Sequence, residues 1–217
     1  MPTYGQLFSQ SWEILKKNLA LYVGLSICLF AMNSFLSAIS FIGIIASMLL
    51  SGPITSSMIY SMKKLRDSGQ LNWSDLFWGF ADLNRFLNLV VASFFVSLFV
   101  CAATLFFILP GIYLYVSYLF VYQLMIYQNL NPWDALIRSY HLVNKNWWYY
   151  FGLLCIVGLL NLVGMMSFLI GLIVTVPTSM LMVILSFEDT IKNEQVDSGL
   201  VQETIQEQQL SFSDELK

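Results

Sequence analysis

Charged side chains are scarce in this sequence, and three long blocks have none at all. Only 11% of the 217 residues are Asp, Glu, Lys or Arg, whereas a soluble domain carries about 25%. The uncharged blocks cover residues 18–62, 86–133 and 146–187. A chain that is 58% hydrophobic cannot bury that much apolar surface in one water-soluble core. This scarcity excludes an ordinary soluble protein.

The residues that usually carry catalysis are scarce too. His141 is the single histidine, and Cys28, Cys101 and Cys155 lie far apart within the uncharged blocks. Enzyme sites need clustered titratable groups, and the chain has no GxSxG, HExxH, P-loop or dinucleotide-binding motif. We therefore expect no metal, no cofactor and no conventional enzyme activity.

Each uncharged block is long enough for two membrane-crossing helices and a tight turn, because one crossing takes about 20 residues. None of the blocks alternates polar and apolar residues as barrel strands do. The sequence therefore predicts an all-α integral membrane protein with six transmembrane helices, arranged as three hairpins. The predicted helix pairs are 19–41 with 44–62 (turn near Gly43), 86–109 with 112–128 (turn at Pro110-Gly111) and 147–168 with 170–187 (turn near Gly171).

The three hairpins read as parallel repeats within one membrane domain, residues 1–187. The repeat units cover residues 4–62, 73–128 and 132–187. Shifting the chain by 128 residues places 11–25 on 139–153 with six of fifteen positions identical, among them Ser11 with Ser139.

An amphipathic segment precedes each hairpin, and we expect these segments to lie in the membrane interface with aromatic side chains at headgroup depth. Ser74 is the predicted N-cap of the second segment, and Asn131-Pro132 begins the third. Such segments either anchor the hairpins or form a surface for lipid sensing or partner docking. The predicted interfacial anchors are Trp12, Phe77, Trp133, Tyr140, Trp147 and Trp148.

The basic residues predict the orientation. All ten lie outside the hairpin apexes, so the positive-inside rule places both termini in the cytoplasm and three short uncharged turns on the opposite face. We expect a bacterial cytoplasmic (inner) membrane protein without a cleavable signal peptide. Residues 188–217 hold eight acidic and two basic residues. This composition predicts a cytoplasmic tail that is mostly disordered, with a short helix around 196–209. It is either a solubilising tail or a docking segment for a basic protein.

The strongest polar residues in the predicted membrane interior are Asn33, Asn88, Asn161 and Gln123. Asn33 and Asn161 occupy equivalent repeat positions, so they are candidates for ligand contact as well as for interhelical hydrogen bonds. On the polar side of the third amphipathic segment, Arg138 and His141 are candidates for binding a lipid headgroup.

Three stretches carry a resemblance to known proteins. LPGIYL (109–114), NPWDALIRSY (131–140) and NWW (146–148) resemble a broad group of bacterial multi-pass inner-membrane proteins. The group includes the YciC-like proteins and the membrane domain of some glycerophosphodiester phosphodiesterases. The resemblance implies the fold and indicates almost nothing about activity. The phosphodiesterase catalytic domain has no counterpart in this chain, so no such activity is carried over.

Three functions are compatible with these observations. The first is a non-catalytic membrane protein that binds lipid or a partner protein. The second is a transporter or exporter of an apolar or amphipathic molecule, because an interior without charge suits such a substrate better than an ion. The third is a membrane enzyme that uses Asp82, Asp134 and His141 at a cytoplasmic site. Nucleic acid is not an expected partner, and the oligomeric state stays open.

Overall fold

The computed structural model describes the backbone of residues 1–27, 40–166 and 171–215. It describes the side chains of the same residues except 40–47, 106 and 197–215. The described chain is all-helical, with no strand. Residues 19–27 are the described part of α2. The other elements are α1 (Tyr4–Lys17), α3 (Ser40–Ser68), a 3₁₀ helix (Trp73–Phe80), α4 (Leu83–Phe106), α5 (Ile108–Ser117), α6 (Val121–Gln128), α7 (Pro132–Asn144), α8 (Trp147–Met166) and α9 (Leu172–Glu215).

Four helical segments of the described chain are long and apolar enough to cross a membrane. They are Leu83–Leu105, Ile108–Gln128, Trp147–Met166 and Leu172–Val196. The second of these combines α5 and α6 across a short break. The prediction of an all-α membrane protein is therefore confirmed to this extent: the described chain is all-helical, and four of its helical segments could cross a membrane.

Two of the predicted turns were wrong. Gly43 lies inside α3, which has already begun at Ser40. The second hairpin turns at the extended residue Phe107, and Pro110 lies in the first turn of α5. Proline is tolerated there because the first N–H groups of a helix have no intrahelical partner. Gly111 instead allows α5 to approach α4, since a Cβ at this position would lie 2.9 Å from the Cβ of Thr104.

The described ends of α8 and α9 lie near those predicted for the third hairpin. The described part of α8 reaches Met166, and α9 begins at Leu172, directly after Gly171. The two helices approach closely at Gly164 and Gly171, because a Cβ on Gly171 would lie 2.7 Å from the Cα of Gly164. Small residues at such crossings let membrane helices pack backbone to backbone.

The amphipathic segments differ in kind. The first and third are the α-helices α1 and α7, and α7 has Asn131 as its N-cap and Pro132 as its first residue. The second is a 3₁₀ helix capped by Asn72, so the predicted cap at Ser74 was wrong. The reason is Asp75, whose carboxylate accepts a hydrogen bond from the Asn72 N–H (2.9 Å) and one from Lys64 (2.7 Å). Asp75 is thereby turned inward and is only 7% exposed.

The predicted tail boundary at residue 188 is not a structural boundary. α9 continues without interruption to Glu215, where the composition predicted mostly disorder. Thr190 bonds to the Tyr150 hydroxyl (2.8 Å), and Glu194 pairs with Arg138 (3.1 Å). These contacts hold the first turns after Phe187 against the bundle, which the acidic composition alone did not indicate.

Two hydrogen bonds of Tyr113 disagree with the predicted membrane orientation of the second hairpin and the α7–α8 connection. The sequence places the apex of the second hairpin and the α7–α8 connection on opposite membrane faces. In the structure, the Tyr113 hydroxyl donates to Asn144 (2.8 Å), and the Trp147 indole donates to the Tyr113 carbonyl (3.4 Å). α7 therefore runs beside the second hairpin and brings the α7–α8 connection close to its apex.

Candidate functional site

A cavity of about 610 Å³ lies between α3, α4, the α5–α6 segment, α8 and α9. Its volume is within the range of small-molecule sites, about 300–1,000 Å³. Each of these helices is one that the sequence predicts to cross the membrane. The wall is mostly apolar, and its polar residues include Ser51, Thr55, Ser97, Tyr118, Tyr122 and Gln123.

A break in a membrane-length helix forms part of the wall. Residues 118–120 separate α5 from α6, and the fully buried Ser139 of α7 contacts both sides of the break. Its hydroxyl donates to the Ser117 carbonyl (2.9 Å) and accepts from the Phe120 N–H (3.2 Å). Irregular backbone at membrane depth is tolerated where protein satisfies the freed groups or where the break lines a cavity. Ser139 thus supports the residues that bring Tyr118 to the wall.

Gln123 is the most buried polar side chain of the wall. It is 4% exposed, and its Oε1 has no hydrogen-bond partner among the described residues. The nearby Ser51 hydroxyl is already used, because it donates to the Met48 carbonyl of its own helix (2.8 Å). The Gln123 Oε1 is therefore an enclosed acceptor without a partner among the described residues, on a side chain that lines the cavity.

The exposed part of the wall lies toward the hairpin apexes. Met48 is near the start of α3, Cys101 is near the end of α4, and both are exposed. Tyr115 of α5 is also exposed. Gln123 is buried and lies farther from these apexes along its own segment, so the exposed residues of the wall are those toward the apex end.

A polar cluster lies beyond Gln123, outside the cavity wall, and we call Lys63, Arg66, Tyr127 and Glu188 the closing layer. Arg66 forms a bidentate pair with Glu188 (2.9 and 2.7 Å), and the Tyr127 hydroxyl donates to the same carboxylate (2.7 Å). The Lys63 ammonium lies 3.8 Å from the centre of the Tyr127 ring. These contacts join α3, α6 and α9.

Electrostatics favour a charged Arg66 in this layer. Burial alone would lower the pKa of the guanidinium, but the hydrogen bonds and charges of Glu188 and Asp67 outweigh burial and raise it. Tyr127 follows Gln123 by four residues, which is about 6 Å along a helix. The closing layer therefore lies about one helical turn from the bottom of the cavity.

Of the predicted interior candidates, Gln123 lines this cavity and Asn161 does not. Asn161 lies on α8 and donates to the Val157 carbonyl (3.0 Å) and to the Ser179 hydroxyl of α9 (3.3 Å). That arrangement is the interhelical hydrogen bond that one interpretation expected. Asn33 lies outside the described residues, so the predicted Asn33–Asn161 pair stays a prediction.

The predicted headgroup residues are separate from the cavity as well. Arg138 pairs with Glu194, and the exposed His141 packs its ring edge-on against Tyr140 (5.8 Å). Asp82 caps α4 by accepting from the Arg85 N–H (3.3 Å). The small pocket that Asp82 lines includes neither Asp134 nor His141. No three His, Cys, Asp or Glu residues come close enough to hold a metal ion in the described parts of the chain.

Most of the predicted interfacial anchors expose an aromatic surface. Phe77 and Trp133 are about half exposed, and Trp148 is 78% exposed. Trp133 packs edge-on against Phe95 (5.8 Å). The remaining anchors contact aromatic neighbours: Trp12 stacks on Phe8, Tyr140 meets Tyr113, and Trp147 stacks on Tyr113 and Phe151.

The sequence interpretation missed the tyrosines of the wall. Tyr115, Tyr118 and Tyr122 follow each other at spacings of three and four residues, which on a continuous helix would place them on one face. This spacing could have identified the three tyrosines as one aromatic, weakly polar surface from the sequence alone. The Arg66–Glu188 pair carried no such signal, because its members are 122 residues apart.

Comparison with protein family models, curated proteins and solved structures finds no match to this chain. The assignment of a function therefore depends on the geometry of the cavity and its surroundings.

Proposed function

We propose that this chain is a non-catalytic multi-pass membrane protein that binds a lipid or another amphiphile in the cavity. The observation that supports this most directly is a cavity of about 610 Å³ among helices of membrane length, with a mostly apolar wall. The polar groups of the wall are neutral. An interior of this kind favours an alkyl chain with a weakly polar group over an ion.

We also propose six crossings, with both termini in the cytoplasm of a bacterium. The 29 residues of α3 extend over about 44 Å, enough to cross a bilayer core of about 30 Å. The contact between Tyr113 and the α7–α8 connection does not alter the proposed location of the termini. Each hairpin contributes two crossings and so returns the chain to the side on which it started.

Filling the cavity tests the proposed function. Ser97 lines the cavity, and its neighbour Leu98 is 46% exposed on the outside of the same helix. We expect Ser97→Trp to displace an amphiphile that remains bound to wild type after gentle extraction into lipid nanodiscs. Leu98→Trp is the matched control and is expected to retain it. Native mass spectrometry measures the bound mass, and equal retention in both folded variants would contradict the proposal.

A transporter of an amphipathic molecule is the alternative, supported by the broken α5–α6 helix. Broken helices commonly form transporter binding sites. The two functions differ in whether residue 123 can be reached from both sides of the membrane or from one side only. In a cysteine-free background, Gln123→Cys of a transporter reacts with a membrane-impermeant thiol reagent from either side. In a binding protein, the same cysteine reacts from one side only.

A further inference from the structure

Gln123 limits the kind of ligand that the cavity can accept. A buried hydrogen-bond acceptor without a partner is costly, and the Oε1 of this 4%-exposed side chain has none among the described residues. A ligand that donates a hydrogen bond removes this cost. A ligand that only accepts leaves the oxygen unpaired.

The wall also disfavours a charged ligand. Its polar members are hydroxyl groups, one amide and the Cys101 thiol, and the described lining holds no Asp, Glu, Lys, Arg or His. The charges of the closing layer are not part of the wall; there Arg66 pairs with Glu188, and the Lys63 ammonium lies over the Tyr127 ring. A carboxylate or phosphate in the cavity would lose its hydration without gaining an ionic partner.

We propose that the cavity selects a neutral lipid with a free hydroxyl, namely a long-chain alcohol or a diacylglycerol. The hydroxyl donates its hydrogen bond to the Gln123 Oε1, and the alkyl chain lies along the apolar wall toward the open end. This inference depends on the proposed function, because it specifies the ligand class of the same cavity.

The test compares ligands that differ in one group. Purified wild type in nanodiscs is titrated with a radiolabelled C16 alcohol, its methyl ether, the C16 fatty acid at pH 8 and a diacylglycerol. Losing one buried hydrogen bond corresponds to about tenfold in affinity. We expect the alcohol to bind about tenfold more tightly than the ether, and the fatty-acid anion to bind at least as weakly as the ether. The relative affinities of alcohol and diacylglycerol distinguish the two sources of the hydroxyl.

Gln123→Met then removes the amide and keeps the side chain close in size. It is expected to abolish the preference for alcohol over ether while ether binding remains. Gln128→Met, on the same helix but outside the cavity wall, is the control and is expected to keep the preference. Thermal stability and gel filtration establish that both variants are folded.

Each outcome has a distinct consequence. Equal binding of alcohol and ether to wild type would overturn the hydroxyl inference and leave the proposed function standing, without any need for a variant. An unchanged preference in folded Gln123→Met would also overturn it. Binding of none of the four ligands would overturn the hydroxyl inference as well, and the comparison of Ser97→Trp with Leu98→Trp would then decide the proposed function.

Discussion

Gly52 allows α3 to pack directly against α4 beside the cavity, so a single methyl group at this position should be destabilising. A Cβ on Gly52 would collide with the Leu89 backbone carbonyl and with the Ser93 hydroxyl, and would lie 3.1 Å from the Tyr122 ring. The Ser93 hydroxyl can rotate, but the carbonyl belongs to the α4 backbone. Gly52→Ala would therefore require α3 and α4 to separate by about 1 Å, because protein interiors are closely packed.

Overpacking of this kind costs about 1–3 kcal/mol, and the better helix propensity of alanine returns up to about 1 kcal/mol. We expect a net loss of about 1–2 kcal/mol, which corresponds to a fall in Tm of roughly 2–8 °C for a chain of this size. The assay is the fraction of monomer that survives heating in one detergent. Gly158→Ala is the control, since a Cβ there meets nothing within 4 Å. Equal stability of the two variants would refute the α3–α4 contact.

Three further predictions concern polar contacts. Hydrogen bonds from Lys64 and the Asn72 backbone outweigh burial and lower the pKa of Asp75. The stabilisation by Asp75 is therefore present above its unfolded pKa of about 3.9 and lost as the pH falls through the lowered value. The Tm difference between wild type and Asp75→Asn should shrink as the pH falls through the lowered pKa of Asp75. A difference that stays constant with pH would contradict the stabilising role of the Asp75 carboxylate. A double-mutant cycle of Arg66→Ala and Glu188→Ala should show a coupling of about 1–2 kcal/mol, and additive effects would argue against the closing layer. Ser139→Ala should cost about 1–3 kcal/mol by leaving two backbone groups unpaired. Its predicted repeat equivalent Ser11 is buried, and its hydroxyl has no partner among the described residues, so Ser11→Ala should be tolerated. Equal losses of stability would contradict the role of Ser139 at the break.

The sequence predicted the features that depend on local properties. A run of about 20 apolar residues is itself sufficient for a membrane-length helix, so α8 and the start of α9 were predicted within a few residues. The Asn131-Pro132 start of α7 was also local, because a capping residue and a proline at the first helical position act within one turn.

Glycine and proline misled the prediction because each has more than one structural role. Pro110 and Gly111 were interpreted as a turn. In the structure, Pro110 occupies the first turn of α5, and Gly111 permits close packing against Thr104. Which role applies depends on the neighbouring helix, and a single sequence does not identify that neighbour.

The cavity was beyond a sequence-only prediction for the same reason. Gln123 was recognisable as an interior polar residue, but its place in the cavity wall depends on how five helices pack together. Glu188 was assigned to an acidic tail because acidic residues dominate the sequence after it. Its partners Arg66 and Tyr127 are distant in the chain, so only the folded structure shows that Glu188 belongs to the bundle.

The most direct test of the account is protection of Cys101 from alkylation. Cys101 lines the cavity and is exposed, while Cys155 is exposed elsewhere and serves as an internal control. In a Cys28→Ala background, peptide mass spectrometry measures the modification rate of both thiols with and without a saturating C16 alcohol. The account predicts slower modification of Cys101 and an unchanged rate at Cys155. Equal rates at Cys101 with and without the alcohol would contradict the claim that the cavity binds an amphiphile.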